Sequence, residues 1–501
     1  MLDTMSLGRS SWSSSPEPTA HIRRPACSPE DVMVEARRRG NHPAHDPLVA
    51  NARRRWILIL LSVTFFIAVN DSTIVYTALP AIGADLAMTE SLRWVVVAYL
   101  LASGTLLLLG GRAADRFGQR RTFHLGVGLF GAMSLLCGLA VSGGVLIMAR
   151  ALQGTGAALM VPAALSILMT TFPEGPSRNR ALGIWGSLAG IGATTGLLLG
   201  GPITQTLGWR AIFLINVPVG LAALALGPRL LPPDRERSGR SGTLNLPAAV
   251  TAALALLLLT SAIVEADRAS GARTVGLLAA TALLMSLFLR IERHAADPLV
   301  PPRLFRSRAL VAGNLIILAA GISVDGLLYT FTIVAQQVLG RSASWFGLAM
   351  TVMTVTSFLG VGVGQHLVSR LGARPVAAVG FALIGAGSLV IRYASSDAEL
   401  PALLAGLALF GPGLGACFVA GQIAALSGVA PEDAGLASGL EETTFAIGNA
   451  LGVAVTSTLI LAAPSLHTGT RTALTSTAGI AGLGVLAALC HPGARVGAPR
   501  P

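Results

Sequence analysis

The sequence predicts an all-α protein that crosses a lipid bilayer about fourteen times. Of its 501 residues, 53% are hydrophobic and only 12% are charged, a balance that suits lipid and not water as the main solvent. Apolar runs of about twenty residues recur along the chain. The 58 glycines and 27 prolines fall largely inside those runs, where membrane helices tolerate them.

Residues 1–55 are polar, rich in Ser, Pro and Arg, and lack the short apolar core of a signal peptide, so they are expected to form a disordered cytoplasmic tail. Beyond it, spans are read at 56–80, 92–110, 122–141, 144–171, 178–201, 209–231, 243–264, 272–290, 309–335, 344–365, 375–393, 401–427, 434–462 and 472–490. Each is long enough to cross a bilayer. They divide the chain into a first half (56–231), a stretch with two inserted helices (232–308), a second half (309–490) and a cytoplasmic end (491–501). Segments on the tail's side of the membrane hold 28 of the 36 basic residues and the opposite segments 7, with Arg150 inside a span. That bias predicts a multi-pass protein of the cell membrane with both termini cytoplasmic. One inner loop, at Glu432 and Asp433, carries no arginine.

No lysine occurs anywhere, so every basic residue is arginine. A Walker-type phosphate loop needs its lysine, which excludes such an ATP motor and leaves an ion gradient as the energy source. The net charge of +12 is spread between loops, a topological pattern and not a nucleic-acid face. Cys27, Cys137, Cys417 and Cys490 are too far apart for a metal or CxxC motif and read as inert thiols. All eight histidines lie in the tail, in loops or near span ends. No nucleophile and base pair is evident, so neither a cofactor, nor a metal, nor an enzymatic activity is expected.

After the second span comes GGRAADRFGQRR, residues 110–121, read as a tight cytoplasmic turn. This segment resembles the loop signature of the major facilitator superfamily at Gly111, Asp115, Arg116, Gly118 and Arg120, where glycine permits a tight backbone and the carboxylate can form a breakable latch. NDSTIVYTALP in span 1, RALQGTGAA in span 4, and GIGATTGLLLGG with WRAIFLINVPVG in spans 5 and 6 resemble motifs of its fourteen-helix drug:proton antiporter branch. IERHAADPLVPPRLFRSRA and GLASGLEETTFAIGNALGVAV extend the likeness into the second half. Leu197 follows Gly196 where the branch usually has proline, and Ser369 stands at the aspartate position of the second-half loop. Gly192, Gly196 and Gly200 still form a small-residue ridge for close helix contact. The resemblance implies the facilitator fold: two pseudo-symmetric six-helix halves plus two inserted helices, which are expected to shape the lipid-facing surface.

Ionisable side chains inside spans cost at least ~2.5 to 3.5 kcal/mol on insertion scales, so each one needs a partner or a purpose. Those found are Asp71 in span 1, Arg150 in span 4, Asp325 in span 9, and Glu441 and Glu442 in span 13. The depths of Asp71 and Arg150 allow them to pair, and Gln153 lies one turn from Arg150. Asp325 is expected to answer to Asp71 across the repeat axis, because Tyr329-Thr330 follows it as Tyr76-Thr77 follows Asp71. Glu441 and Glu442 differ in direction by about 100°, so one is expected to face the cavity, with Glu442 preferred.

These residues predict a monomeric, proton-coupled exporter of small amphipathic compounds working by alternating access. Antibiotics and other drugs are the cargo the resemblance implies. A facilitator of a metabolite, amino acid or lipid, and a receptor that does not transport, stay open on the sequence.

Overall fold

The computed structural model describes residues 47–234, 245–265, 271–295, 298–301, 303–397, 399–429 and 433–490. The greater part of the expected tail, the segment after 490 and part of the linker before the inserted helices lie outside them. Two units separate, Met1–Ala52 and Arg53–Pro501, and the architecture below is that of the second.

Among the described residues there are no strands and fourteen long helices. The first half comprises α1 (Pro47–Asp85), α2 (Trp94–Phe117), α3 (Gln119–Gly138), α4 (Gly143–Thr171), α5 (Pro176–Leu207) and α6 (Asn216–Leu230). The inserted pair is α7 (Leu246–Glu265) and α8 (Gly271–His294). The second half comprises α9 (Arg308–Ile333), α10 (Ala343–Leu371), α11 (Ala373–Asp397), α12 (Leu400–Leu426), α13 (Ala434–Ala462) and α14 (Leu466–Cys490). Thirteen of the fourteen are long and apolar enough to cross a membrane, α6 together with the short helical turn before it, Ala211–Leu214. The exception is α3, whose first turns carry Gln119, Arg120, Arg121 and His124.

Helix pairing repeats with a shift of eight helices. Contacts of α2 with α4, of α3 with α4 and of α3 with α6 recur as α10 with α12, α11 with α12 and α11 with α14. The two halves meet along α2 with α13 and along α5 with α10, and the same shift interchanges these seams. Glycines permit the approach. A Cβ at Gly156 would lie 2.6 Å from the Phe130 nitrogen, and one at Gly126 2.5 Å from the Met160 nitrogen, so α3 and α4 pack backbone to backbone. Gly192, Gly196 and Gly200 of α5 lie in the same way along Phe66–Thr77 of α1.

For clarity, the near face is the membrane side from which α1 starts, and the far face is the opposite one. Toward the far face, Gly201 and Gly347 bring α5 and α10 into backbone contact, and the Ser344 hydroxyl donates to Gln205 Oε1 at 2.6 Å. Gly190 meets the Phe358 ring near mid-helix. Toward the near face, Gly183 and Gly186 of α5 and Gly362 of α10 look into open space. This seam is closed on the far side and opens on the near side.

Three expectations change. Residues 110–121 are not a loop: α2 runs on through Gly110, Gly111, Asp115 and Arg116 to Phe117, and the chain breaks only at Gly118, with φ of +102°. The helix persists because Gly110 fits against the Ala158 carbonyl and keeps α2 on α4. Second, the inserted helices are not alike. Whereas α8 has no fully buried residue in its apolar stretch and packs on α7, α7 packs on both α2 and α13 as well, with Ala248 and Ala249 against Leu106 and Leu109. One inserted helix therefore seals the seam between the halves. Third, the second-half partner of Asp71 is not Asp325, as shown below.

Replacing Gly156 with alanine is expected to destabilise the detergent-solubilised protein by about 1–3 kcal/mol, because two backbones must separate. Gly144→Ala, where a Cβ meets nothing, is expected to change stability by less than about 0.5 kcal/mol. Thermal unfolding of the two variants measures this, and equal losses would contradict the packing.

Candidate functional site

Within the first half, α1, α3, α4 and α6 bring their polar side chains to one point. Asp71 and Arg150, both fully buried, form an ion pair. Oδ1 of Asp71 accepts from Gln153 Nε2 at 2.9 Å and from Asn216 Nδ2 at 2.7 Å. Arg150 also donates to Gln153 Oε1 at 2.8 Å and, through Nε, to the Val95 carbonyl at 2.9 Å. Its guanidinium lies 4.2 Å from the centroid of the Tyr99 ring and 5.6 Å from that of Phe213. Gln153 Nε2 donates a further bond to Ser134 Oγ at 2.7 Å. Every bond to the aspartate thus comes from its own half. A buried pair is tolerated only when its remaining donors and acceptors are occupied, and Gln153, Asn216 and Val95 occupy nearly all of them.

The second half has no copy of this cluster. Gly192 and Gly196 bear on Phe66 and Asn70 of α1 as Gly448 and Gly452 bear on Leu318 and Ile322 of α9. Likewise Gly154 bears on Tyr99 and Ser103 as Gly411 bears on Met353 and Ser357. In this register Asp71 answers to Ser323, Arg150 to Leu407 and Gln153 to Phe410, all fully buried. Asp325 answers to Thr73, two positions beyond Asp71. The Tyr-Thr echo in the sequence misled because backbone contacts set the register, and they run one residue out of step with it.

Asp325 sits instead at the meeting of the halves. It is 7% exposed, and the hydroxyl of Tyr76, from α1 of the other half, faces it. That hydroxyl has not closed a hydrogen bond and reaches no other acceptor. One residue along, the Thr77 carbonyl accepts from Gln336 Nε2 at 3.2 Å. Gln336 lies in a π-helical turn, Val334–Val338, that extends α9. Such turns are concentrated at functional sites. In α1, Pro80 has no N–H for the Tyr76 carbonyl, which loosens the helix beside these contacts.

The two glutamates of α13 part company. Glu441 is 1% exposed and turns to Gln422 of α12, with Oε2 left without a partner. Glu442 is exposed. On the helix it lies between the line touching α2, through Gly439 and Ala446, and the face bearing Phe445 and Asn449, which meets α9 and α12. That strip looks between the halves. Two apolar crevices also occur, one of about 450 Å³ between Trp345 of α10 and Leu404 of α12, but neither has a charged lining residue.

At the near face, the signature residues lie apart from these acids. The Asp234 carboxylate accepts from the backbone N–H of Arg120 at 2.8 Å and of Arg121 at 3.2 Å, and so caps α3. Any Cβ at Gly118 would strike this carboxylate. Arg112 donates to the Pro298 carbonyl, and Glu292 accepts from Asn245 and from the N–H groups of Leu299 and Val300 at 2.9–3.0 Å. Asp115 and Arg116 are engaged in interactions of their own. Asn216, Ser134, Tyr99, Asp234 and Glu292 were not singled out from sequence, and Tyr76 entered only through the Tyr-Thr echo. Asn216 had the clearest signal, as an amide inside the apolar run of span 6, and Tyr76 sat within the span 1 motif.

Asp71→Asn is expected to cost about 3–5 kcal/mol of stability, since Arg150 is left charged and underpaired. Asp71→Asn combined with Arg150→Met is expected to recover most of that loss. A double-mutant cycle on thermal unfolding measures the coupling, and additive losses would rule out an interdependent pair.

Comparison with known proteins agrees with this architecture. The family model described as Major Facilitator Superfamily matches residues 61–296. The chain is 37% identical over 425 residues to the puromycin resistance protein pur8 of Streptomyces alboniger, covering 83% of each chain. To the cephamycin export protein CmcT of Amycolatopsis lactamdurans it is 40% identical over 409 residues, covering 79% of this chain and 83% of that one. To the lincomycin resistance protein of Streptomyces lincolnensis it is 35% identical over 463 residues, covering 90% and 94%. Among solved structures, a bacterial homolog of the human lysosomal transporter Spinster, inward-facing and occupied, superposes with a TM-score of 0.63 at 16% identity, covering 87% of this chain and 96% of that one. The repeat of helix pairs, the glycine seams and the extent of these likenesses lead to one placement: the chain belongs to the major facilitator superfamily.

Proposed function

We propose that this protein exports small amphipathic organic compounds of the antibiotic class from the cytoplasm, in exchange for protons. The observation that carries the reading is the placement of Glu442, an exposed carboxylate on α13 between the line that touches α2 of the other half and the face that meets α9 and α12. A carboxylate there suits a compound with a cationic group and an apolar body, bound among small and apolar side chains. Relatives named for puromycin and lincomycin resistance and for cephamycin export support a cargo of this kind. The near face, rich in arginine, is the cytoplasmic one, and the protein works as a monomer in the cell membrane.

Alternating access follows from the two seams. Closing the near side and opening the far side would carry a bound compound across without a continuous pore. Without a lysine for a phosphate loop, the driving force is the proton gradient. One proton moving down ~100 mV yields ~2.3 kcal/mol, which supports a concentration ratio of roughly fiftyfold.

Everted vesicles containing a pH-sensitive dye test this with puromycin and lincomycin as probes. Addition of a transported compound is expected to move protons out of energised vesicles, and Glu442→Gln is expected to raise the half-saturating concentration of a cationic probe about tenfold or more. Concentration of the probe after the proton gradient has been collapsed would exclude the exchange.

A further inference from the structure

We propose that the apolar crevice between α10 and α11, on the near side, is a binding site for an anionic phospholipid, with the phosphate at the α10–α11 turn beside Arg374 and an acyl chain along the crevice. The site lies on the outer surface of the second half, apart from the acids described above. It does not depend on what the protein carries or on protons.

The pseudo-repeat shows what such a turn holds. In the first half α2 ends at Arg116 and Phe117, Gly118 turns with φ of +102°, and α3 begins at Gln119. In the second half α10 ends at Arg370 and Leu371, Gly372 turns with φ of +88°, and α11 begins at Ala373. The first turn is closed by an anion from its own chain. The Asp234 carboxylate accepts from the N–H groups of Arg120 and Arg121, and the Arg120 guanidinium donates to the Pro228 carbonyl at 2.9 Å. A Cβ at Gly118 would strike that carboxylate, whereas a Cβ at Gly372 meets nothing within 4 Å. The counterpart of Arg120 is Arg374, whose Nη2 is buried and without a hydrogen-bond partner among the described residues.

The second half offers no acid for the role of Asp234. Ser369 stands where the first turn has Asp115, and its hydroxyl donates to the His366 carbonyl at 2.6 Å. The segment that follows α14, as Asp234 follows α6, is residues 491–501, which contain two arginines and no Asp or Glu. No acid among the described residues pairs with Arg370 or Arg374. Arginines at the membrane surface find their counter-charge in anionic headgroups. A phosphate at this turn receives what Asp234 receives in the first half, hydrogen bonds from the N–H groups that begin α11, and adds a charge-assisted bond from the Arg374 guanidinium.

The crevice supplies the place for the tail. Both α10 and α11 pack closely on α12 and only lightly on each other, which leaves a furrow of about 240 Å³ with Ala416 of α12 as its floor. Its walls are Val363, Leu367 and Leu371 of α10 and Val379 and Leu383 of α11. From Pro375, beside the turn, to Leu383 the furrow descends about 12 Å at 1.5 Å per residue. Val363, Leu371 and Val379 are among the exposed apolar side chains, so the hydrocarbon of the bilayer covers them. Inorganic phosphate fits the turn and leaves the furrow unused. A zwitterionic lipid fits the furrow but brings an ammonium group toward two arginines. An anionic phospholipid satisfies both parts.

The test uses the full chain, delipidated in a mild detergent, with lipid binding measured by native mass spectrometry. The probes are dioleoyl phosphatidylglycerol, dioleoyl phosphatidylcholine and inorganic phosphate. The unmutated protein is expected to bind one phosphatidylglycerol about tenfold or more tightly than phosphatidylcholine, the effect of one hydrogen bond to a charged group. Arg374→Gln is expected to remove that preference and leave the binding of phosphatidylcholine unchanged. Ser369→Asp, which restores the acid of the first turn at an exposed position, is expected to weaken phosphatidylglycerol binding in the same direction. Arg306→Gln removes an equal charge from an exposed near-face position away from the crevice and is expected to keep the preference. Equal binding of the two lipids by the unmutated protein, or an Arg374→Gln protein that keeps the preference, overturns the proposal. So does a loss of equal size in Arg306→Gln, which marks a diffuse attraction, or displacement of the lipid by an equal concentration of inorganic phosphate, which marks an anion site without a tail. None of these results bears on export in the vesicle assay.

Discussion

A charged side chain in the hydrocarbon core must find its counter-charge and hydrogen bonds within the protein, and this constraint organises the structure. Arg150 illustrates it. The guanidinium is fully buried, and neighbouring helices converge on it and on Asp71 to supply an amide from α4, another from α6 and a carbonyl from α2. Two aromatic rings cover the remainder of the guanidinium. The first half is therefore knit around a polar core. At the corresponding place the second half has Ser323, Leu407 and Phe410, an apolar solution to the same packing problem. Pseudo-symmetry of the backbone coexists with asymmetry of chemistry.

Small residues carry the other part of the design. Without a hydrophobic force between helices in lipid, close backbone approach is what holds them, and Gly126, Gly156, Gly380 and Gly413 occupy matching places in the two halves. The same device, used unevenly along α5 and α10, makes the opening. Backbone contact at Gly201 and Gly347 shuts the far side, while the glycines nearer the other face meet nothing. The near face is tied by a separate set of polar contacts, in which Glu292 gathers the ends of α7 and α8 and Arg303 pairs with Asp433 at 2.7 Å.

Much of this was legible in the sequence. Apolar run lengths placed all fourteen helices, since each must cover the bilayer thickness, and the cost of burial marked Asp71, Arg150, Asp325, Glu441 and Glu442 as residues that require explanation. Helix ends were less legible. Residues 110–117 read as a loop because they are charged and glycine-rich, but contact with α4 keeps them helical. Partners were the least legible. Asn216 is separated from Asp71 by 145 positions, and no local pattern links an amide in one apolar run to a carboxylate in another.

By itself, the sequence determined that this chain is a multi-pass membrane protein and which ionisable groups it carries inside its apolar runs, because these follow from composition and span length. The tertiary structure alone decided which helix supplies the partner to each of those groups. Register between α1 and α5, and between α9 and α13, is set by backbone contact at glycines, and a shift of one residue turns a helical side chain by about 100°. Asp325 stands two positions beyond the counterpart of Asp71, a turn of about 200°, and that rotation separates an aspartate enclosed by its own half from one facing a tyrosine of the other.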